Sequence, residues 1–277
     1  MTAHESASTG IEGKIGILGA GRLGEALLSG LLRSGAAEPD QIRATVRHEA
    51  KAAELSERHN IAVSTDSAEV ADWADIVVVA VKPQSLDTLL WQVAGRIHPG
   101  EPVISVVAGV PTTRFEEALG EVPVVRVMTN VPVLVDEAMS AIAAGTHASE
   151  KDLGLAEDFL RQVGRVVRLA EGDLDAVTAL SGSGPAYFFL LAEAMIDAGI
   201  LLGLPRDVAT ELIIQTMMGS ALMLRDTGRH PVELRESVTS PGGTTIAAVR
   251  VLEEQRVRAA FLNAIEAAKN RSVELGR

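Results

Sequence analysis

From Lys14 to about Leu169 the chain alternates short β-branched runs with stretches whose apolar positions recur every three or four residues. The runs at 14–18, 42–46, 61–63, 76–81, 103–107 and 124–127, with weaker ones at 140–143 and 165–169, predict strands of a mostly parallel sheet. Between them, spacings such as Leu23, Ala26, Leu27, Gly30 and Leu31 predict crossover helices with one apolar face. After Gly172 the strand pattern stops. Segments 173–181, 185–202, 205–225 and 244 to about 275 read as helices, several of them apolar around most of their circumference. The change of regime divides the chain into an α/β domain over 12–171 and an all-α domain over 172–277. Helices this apolar need cover, either from the first domain or from a second copy, and a homodimer is the expectation.

The opening residues MTAHESASTG are small and polar, without the basic and apolar regions of a secretory signal, so residues 1–11 read as a disordered tail. The most apolar stretch, Tyr187 to Leu204, is interrupted by Glu193 and Asp197 and ends at Pro205. That suits a buried helix better than a membrane span, and a cytoplasmic protein is expected.

Composition narrows the function. At 277 residues, against about 150 per domain, two domains are the prior expectation. The chain is 47% apolar but only 3% aromatic, so its core must be aliphatic. A net charge of −12 repels nucleic acid and anionic lipid, although backbone N–H groups can still hold one small anion locally. Cysteine is absent, which removes disulfides, thiolate nucleophiles and Cys-based metal sites. The six histidines, at 4, 48, 59, 98, 147 and 230, lack ligand spacing, and no metal is expected.

Strand 14–18 runs into Gly19-Ala20-Gly21-Arg22-Leu23-Gly24, followed by a helical pattern. This is G-x-G-x-x-G in the context that its chemistry requires. Gly19 permits the tight turn, Gly21 lets backbone approach a pyrophosphate, Gly24 allows close helix–strand packing, and the helix start supplies N–H groups. An NAD site usually carries a carboxylate at the end of the second strand. Here that end reads Thr45-Val46-Arg47-His48, and the first acid, Glu49, already belongs to the next helix. Arg47, with Thr45 nearby, suits a 2′-phosphate, so NADP(H) is expected to be preferred and NAD(H) to be the weaker cofactor. Ligands bind outside the carboxyl ends of parallel strands, which adds Ala80, Val81, Lys82 and Pro83, then Ala108, then Asn130 to the candidate cofactor contacts.

A second glycine cluster, Ser240-Pro241-Gly242-Gly243-Thr244-Thr245, opens an apolar helical pattern. It is either an ordinary helix start capped by Ser or Thr, or an anion site in which the N–H groups of Gly243, Thr244 and Thr245 hold one carboxylate. Ser181-Gly-Ser-Gly-Pro185 reads as a cap before a proline-opened helix.

Taken together, Gly19–Gly24, Ala80-Val-Lys-Pro83, Arg126-Val-Met-Thr-Asn130, Leu180-Ser-Gly-Ser-Gly-Pro-Ala-Tyr187 and Ser240-Pro-Gly-Gly-Thr-Thr245 closely resemble the pyrroline-5-carboxylate reductase family. The resemblance runs in order from about residue 14 to 276 and implies a Rossmann-like N-terminal domain with a helical domain that interlocks with its twofold mate. Rings of dimers also occur in that family. It implies reduction of 1-pyrroline-5-carboxylate to L-proline by a nicotinamide cofactor. It places the substrate carboxylate at Gly242, Gly243 and Thr244, within a turn that begins at Ser240. The ring nitrogen falls near the hydroxyl of Thr245, the candidate catalytic residue. Two alternatives compete. One is another NADP-dependent imine or β-hydroxyacid oxidoreductase; those enzymes usually carry a catalytic lysine on a glycine-rich helix, and residues 172–224 contain none. The other is a non-catalytic NADP-binding regulator, which would need no carboxylate-binding turn.

Overall fold

The computed structural model describes residues 10–275. The expected tail falls mostly on residues 1–9, outside the described residues, but its last residue is not tail. Ile11 is buried, and its N–H donates to the Ala36 carbonyl at 2.7 Å. The chain forms two compact units, one running up to Ser183 and resuming at Lys269, the other Gly184–Ala268.

The first unit holds one eight-stranded sheet. Its strands are β1 (Ile15–Leu18), β2 (Ile42–Thr45), β3 (Ala62–Ser64), β4 (Ile76–Val79), β5 (Val103–Ser105), β6 (Val124–Met128), β7 (Ala138–Ala144) and β8 (Gly164–Arg168). Their order is β3-β2-β1-β4-β5-β6-β7-β8, and every pairing is parallel except β6 with β7. Helices α1 (Arg22–Ser34), α2 (Glu49–His59), α3 (Ser67–Trp73), α4 (Leu86–Val93), α5 (Thr112–Leu119) and α6 (Glu150–Arg161) make the crossovers. The period of two along the central strands sorts side chains between two cores. Ile15, Ile17, Ile76 and Val78 join Leu27, Leu28 and Leu31 on one face; Leu18, Val77 and Val79 join Leu86, Leu90 and Phe115 on the other. Burial on both faces is why these strands are nearly continuous apolar runs. The order reverses between β1 and β4, which opens a crevice at their carboxyl ends.

Past β8, a short helix α7 (Leu174–Val177) leads into a π-helical turn, Thr178–Gly182. The cap expected at Ser181–Pro185 is therefore not what forms: Ser183 N–H reaches back five residues to the Thr178 carbonyl at 2.8 Å. Gly182 lets the end of the Met128 side chain pack against the turn, since a Cβ there would lie 2.4 Å from Met128 Cε and push it aside.

The second unit comprises α8 (Gly184–Leu201), α9 (Arg206–Thr227), α10 (Pro231–Ser237), α11 (Thr244–Glu254) and most of α12 (Val257–Leu275). α8 meets α9 closely, since a Cβ on Gly199 would stand 2.9 Å from the Ala209 Cβ. Helix α10 went unread in the sequence. The single helix expected from 244 is two, because Arg256 adopts the left-handed conformation (φ 57°) and ends the first ladder. Apolar side chains here face solvent in the single chain: Phe189 is 66% exposed, Leu201 86% and Leu262 65%.

Candidate active site

The crevice at the β1/β4 switch is a cleft of about 650 Å³. It is lined by Gly19, Gly21, Thr45, Arg47, Ala80, Val81 and Lys82 from the sequence-derived set, and also by His48, Lys51, Thr65 and Ser85. Each glycine has a distinct physical role. Gly19 sits at φ 97°, and a Cβ on it would lie 2.6 Å from Val81 Cγ1. A Cβ on Gly24 would lie 2.6 Å from the Gly19 carbonyl oxygen, so α1 can approach β1 only without a side chain there. At Gly21 a Cβ would meet nothing within 4 Å, leaving an open face for a ligand.

The turn's own N–H groups are used internally. Gly19 N–H donates to Thr45 Oγ1 at 3.1 Å, Ala20 N–H to the Thr45 carbonyl at 2.7 Å, and Gly21 N–H to the Gly19 carbonyl at 2.8 Å. Thr45 therefore fastens the turn. The donors that face an anion are those of the first turn of α1, at Arg22, Leu23 and Gly24, which have no carbonyl four residues back and no side-chain cap from Gly21.

Arg47 is exposed at the rim and donates to Ser85 Oγ across the cleft. Glu49 is not among the lining residues; its carboxylate accepts from Thr65 Oγ1 at 2.6 Å. Glu25, in the first turn of α1, would oppose a phosphate, but it is ringed by Lys51, Arg58 and His59. Burial pushes its carboxyl up. The hydrogen bonds from His59 and Arg58, with the charges of Lys51 and Arg58, outweigh that and hold it below its ordinary value.

Pro83 lies apart from this cleft, in a shallower one shared with Gly109, Val110 and Arg114. Ala108 is exposed just past β5 and lines neither of these two clefts. Asn130 has both ends of its amide engaged: Nδ2 donates to the Ser181 carbonyl and Oδ1 accepts from Met139 N–H, each at 3.0 Å. It ties the end of β6 to the π-helical turn. Glu171 accepts from Thr112 N–H (2.8 Å), Thr112 Oγ1 (3.1 Å) and the Arg126 guanidinium (3.2 Å). Nothing in the strand periodicity pointed to this cluster.

In the second unit, Gly242 takes φ 66° and Gly243 is the N-cap of α11. Because that N-cap residue has no side chain, the reading of a Ser- or Thr-capped helix fails. Gly243 N–H is not a free donor as expected: it closes the turn onto the Ser240 carbonyl at 3.1 Å. The outward donors are the N–H groups of Thr244, Thr245 and Ile246. The Thr245 side chain is half-buried and Thr244 is exposed.

Comparison with known proteins agrees with both halves. Residues 171–275 match the family described as pyrroline-5-carboxylate reductase dimerisation, and residues 14–109 match one described as NADP oxidoreductase, coenzyme F420-dependent. The pyrroline-5-carboxylate reductase of Corynebacterium melassecola is 44% identical over 95% of this chain and 98% of its own. That of Methanosarcina acetivorans is 45% identical with the same coverage. The structure of the Coxiella burnetii enzyme superposes with a TM-score of 0.91 at 35% identity, covering 96% of this chain and 99% of its own. The Plasmodium falciparum pyrroline carboxylate reductase, solved with NADP bound, gives 0.87 at 28% identity, over 97% of this chain and 100% of its own. A Rossmann-like half with the cleft at its switch point, a helical dimerisation half with an uncapped glycine-opened helix, and relatives matched end to end together place this chain in the pyrroline-5-carboxylate reductase family.

Proposed function

We infer that this protein reduces the cyclic imine 1-pyrroline-5-carboxylate to L-proline with NAD(P)H, the closing step of proline synthesis. The observation that carries this reading is the near full-length identity to reductases of that name. The cleft fits a dinucleotide: its face is open at Gly21, and unpaired N–H groups at the start of α1 can take the pyrophosphate. When bound, the nicotinamide supplies the hydride.

The chain's own residues bind and orient. In this proposal Gly19, Gly21, Arg22, Leu23 and Gly24 hold the pyrophosphate end, with Thr45 fixing the turn. Ala80, Val81 and Lys82 border the ribose and nicotinamide from within the cleft, Pro83 and Ala108 would meet the cofactor only where it extends past the cleft, and Asn130 holds the loop after β6. Arg47 and the missing second-strand acid favour NADP(H) over NAD(H). The turn from Ser240 receives the substrate carboxylate at Gly242, Gly243 and Thr244, chiefly through the N–H groups of Thr244 and Thr245. Thr245 Oγ1 orients the imine nitrogen. A threonine hydroxyl is a poor acid, so its role is to position the nitrogen and pass on a proton from water, and most of the rate comes from holding the two rings face to face.

We place the sequence boundary between the domains at 171/172, where the dimerisation match begins, while the compact units change over later, at Ser183/Gly184. The exposed apolar helices form the core of a homodimer, with rings of dimers as the higher assembly. Glu171–Leu201 is long and apolar enough to cross a membrane by length and composition, but the dimer covers the same surface and leaves the enzyme soluble and cytoplasmic. The decisive assay follows NADPH oxidation with pyrroline-5-carboxylate and repeats it with NADH. Turnover with a higher kcat/KM for NADPH is expected. No turnover with either cofactor overturns the function, and a preference for NADH overturns the cofactor assignment alone.

A further inference from the structure

Lys51 was not singled out by the glycine motif or by the strand end, yet it lines the cleft three residues past His48, the N-cap of α2. Its ammonium is held by two carboxylates, Glu54 Oε1 at 3.0 Å and Glu25 Oε2 at 3.7 Å. The Lys51 hydrogen bond is the largest influence holding the Glu54 carboxyl below its ordinary value, yet neither carboxylate is left unpaired without it. Arg58 bonds to both, through Nη1 to Glu25 and Nη2 to Glu54, and His59 Nε2 stands 3.3 Å from Glu25. Remove Lys51 from the network and every acid keeps a cationic or hydrogen-bonding partner. Lys51 is thus the redundant member of the cluster and the member on the cleft side. Its side chain is 38% exposed, and ion pairs this open are weak enough to exchange for a better anion.

The cleft already brings Arg47 to the same end, where it donates to Ser85 Oγ. A phosphate dianion there meets a fixed guanidinium on one side and a mobile ammonium on the other, an arrangement in which the fork sets geometry and the point charge adds strength. Glu25 enters as a competitor. Sitting in the first turn of α1, it draws the ammonium away from the cleft whenever no phosphate is present.

We propose that Lys51 is a displaceable second cation for the 2′-phosphate of NADPH, and that Glu25, by competing for its ammonium, sets how strongly the enzyme discriminates NADPH from NADH. The proposal rests on the reading of this cleft as an NADP(H) site. Binding swings Lys51 from its carboxylates to the phosphate while Arg58 and His59 keep Glu25 and Glu54 satisfied. No covalent change is involved.

The test is the ratio of kcat/KM for NADPH to that for NADH, read in the same preparation of dimer so that any loss of folded enzyme cancels. It is paired with displacement of NADPH by adenosine 2′,5′-bisphosphate and by adenosine 5′-monophosphate. Lys51→Met lowers the ratio about tenfold and weakens the bisphosphate by the same factor, as loss of one charge-assisted contact requires. Lys51→Arg restores most of it. Glu25→Gln raises the ratio about threefold, the scale of an exposed ion pair. In the Lys51→Met background Glu25→Gln has no such effect. An unchanged ratio in Lys51→Met, or a rise with Glu25→Gln that persists without Lys51, overturns the proposal while leaving the cofactor reading standing. A wild-type enzyme that prefers NADH, with a ratio unmoved by Arg47→Ala, overturns both.

Discussion

The two glycine-rich turns, Gly19–Gly24 and Ser240–Thr245, use the same ingredients to opposite effect. Each breaks the chain with a positive-φ glycine, at 97° and 66° respectively, and each opens a helix whose first N–H groups lack a cap. The first turn is locked from below: Thr45 bonds it through both hydroxyl and carbonyl, and Gly24 presses against its backbone. The second is held by one backbone bond, Gly243 N–H to the Ser240 carbonyl, with the Ser240 hydroxyl the nearest neighbour of Gly243. A turn built on a sheet is finished within one chain. A turn built on helices whose apolar faces stand open belongs to a dimerisation domain, and those faces need cover that the single chain does not give.

The largest effect should come from putting one methyl group into the locked turn. In Gly24→Ala the new Cβ meets a backbone carbonyl that cannot step aside, so the enzyme loses on the order of 2 kcal/mol of stability. The misplaced helix start weakens NADPH binding by about 100-fold. Thermal unfolding and cofactor fluorescence read the two. Next comes Thr245→Ala: kcat/KM for the imine falls about 100-fold while NADPH affinity holds. An unchanged kcat/KM would remove Thr245 from the mechanism. Gly243→Ala repeats the methyl experiment in the second turn. There the Cβ meets a rotatable hydroxyl, so the melting temperature barely moves and KM for the imine rises about fivefold, the cost of roughly 1 kcal/mol at one anion contact.

The smallest effect is one of pH and separates the regions by spectroscopy. Glu25 and Glu157, both in the sheet unit, are held ionised below the ordinary carboxyl value. At Glu157 the Arg168 hydrogen bond outweighs burial, and Arg161 adds to it. A depressed carboxyl stabilises the fold above its unfolded pKa of about 4.3, and the gain is lost as pH falls through the folded value. Acid titration should therefore loosen the sheet unit progressively below about pH 4.3. Both tryptophans, Trp73 and Trp91, lie in that unit and report it directly. Glu25→Gln together with Glu157→Gln should flatten the acid limb of the fluorescence curve.

The central strands were legible because side chains buried on both faces must be apolar in unbroken runs, as in Ile76–Val79, whereas the largely exposed edge strands β3 and β8 carry only short or mixed runs. The glycine turn was legible for a similar reason: φ 97° at Gly19 and the 2.6 Å approach at Gly24 leave those positions no other residue. Where the sequence misled, the cause was a partner far away along the chain. Nothing in the spacing around Asn130 shows that its amide goes to Ser181 and Met139. Thr45 looked like a phosphate ligand until its hydroxyl was found beneath Gly19. The break at Arg256 is a local exception: it closes the polar run Glu253-Glu254-Gln255-Arg256 with neither glycine nor proline to mark it.

By itself, then, the sequence determined the class of fold, the phosphate-binding turn and the glycine-opened helix after Ser240, since each depends on what a residue can or cannot do locally. Only the tertiary structure decided which donors remain free to meet a ligand. It showed that the N–H groups of Gly19, Gly21 and Gly243 are already spent while those that begin α1 and α11 are not. It also revealed that Lys51 faces the cleft with its carboxylates already shared. Hydrogen bonds and ion pairs across the fold are exchanges between distant residues, and a linear pattern carries the capacity of each group but not its partner.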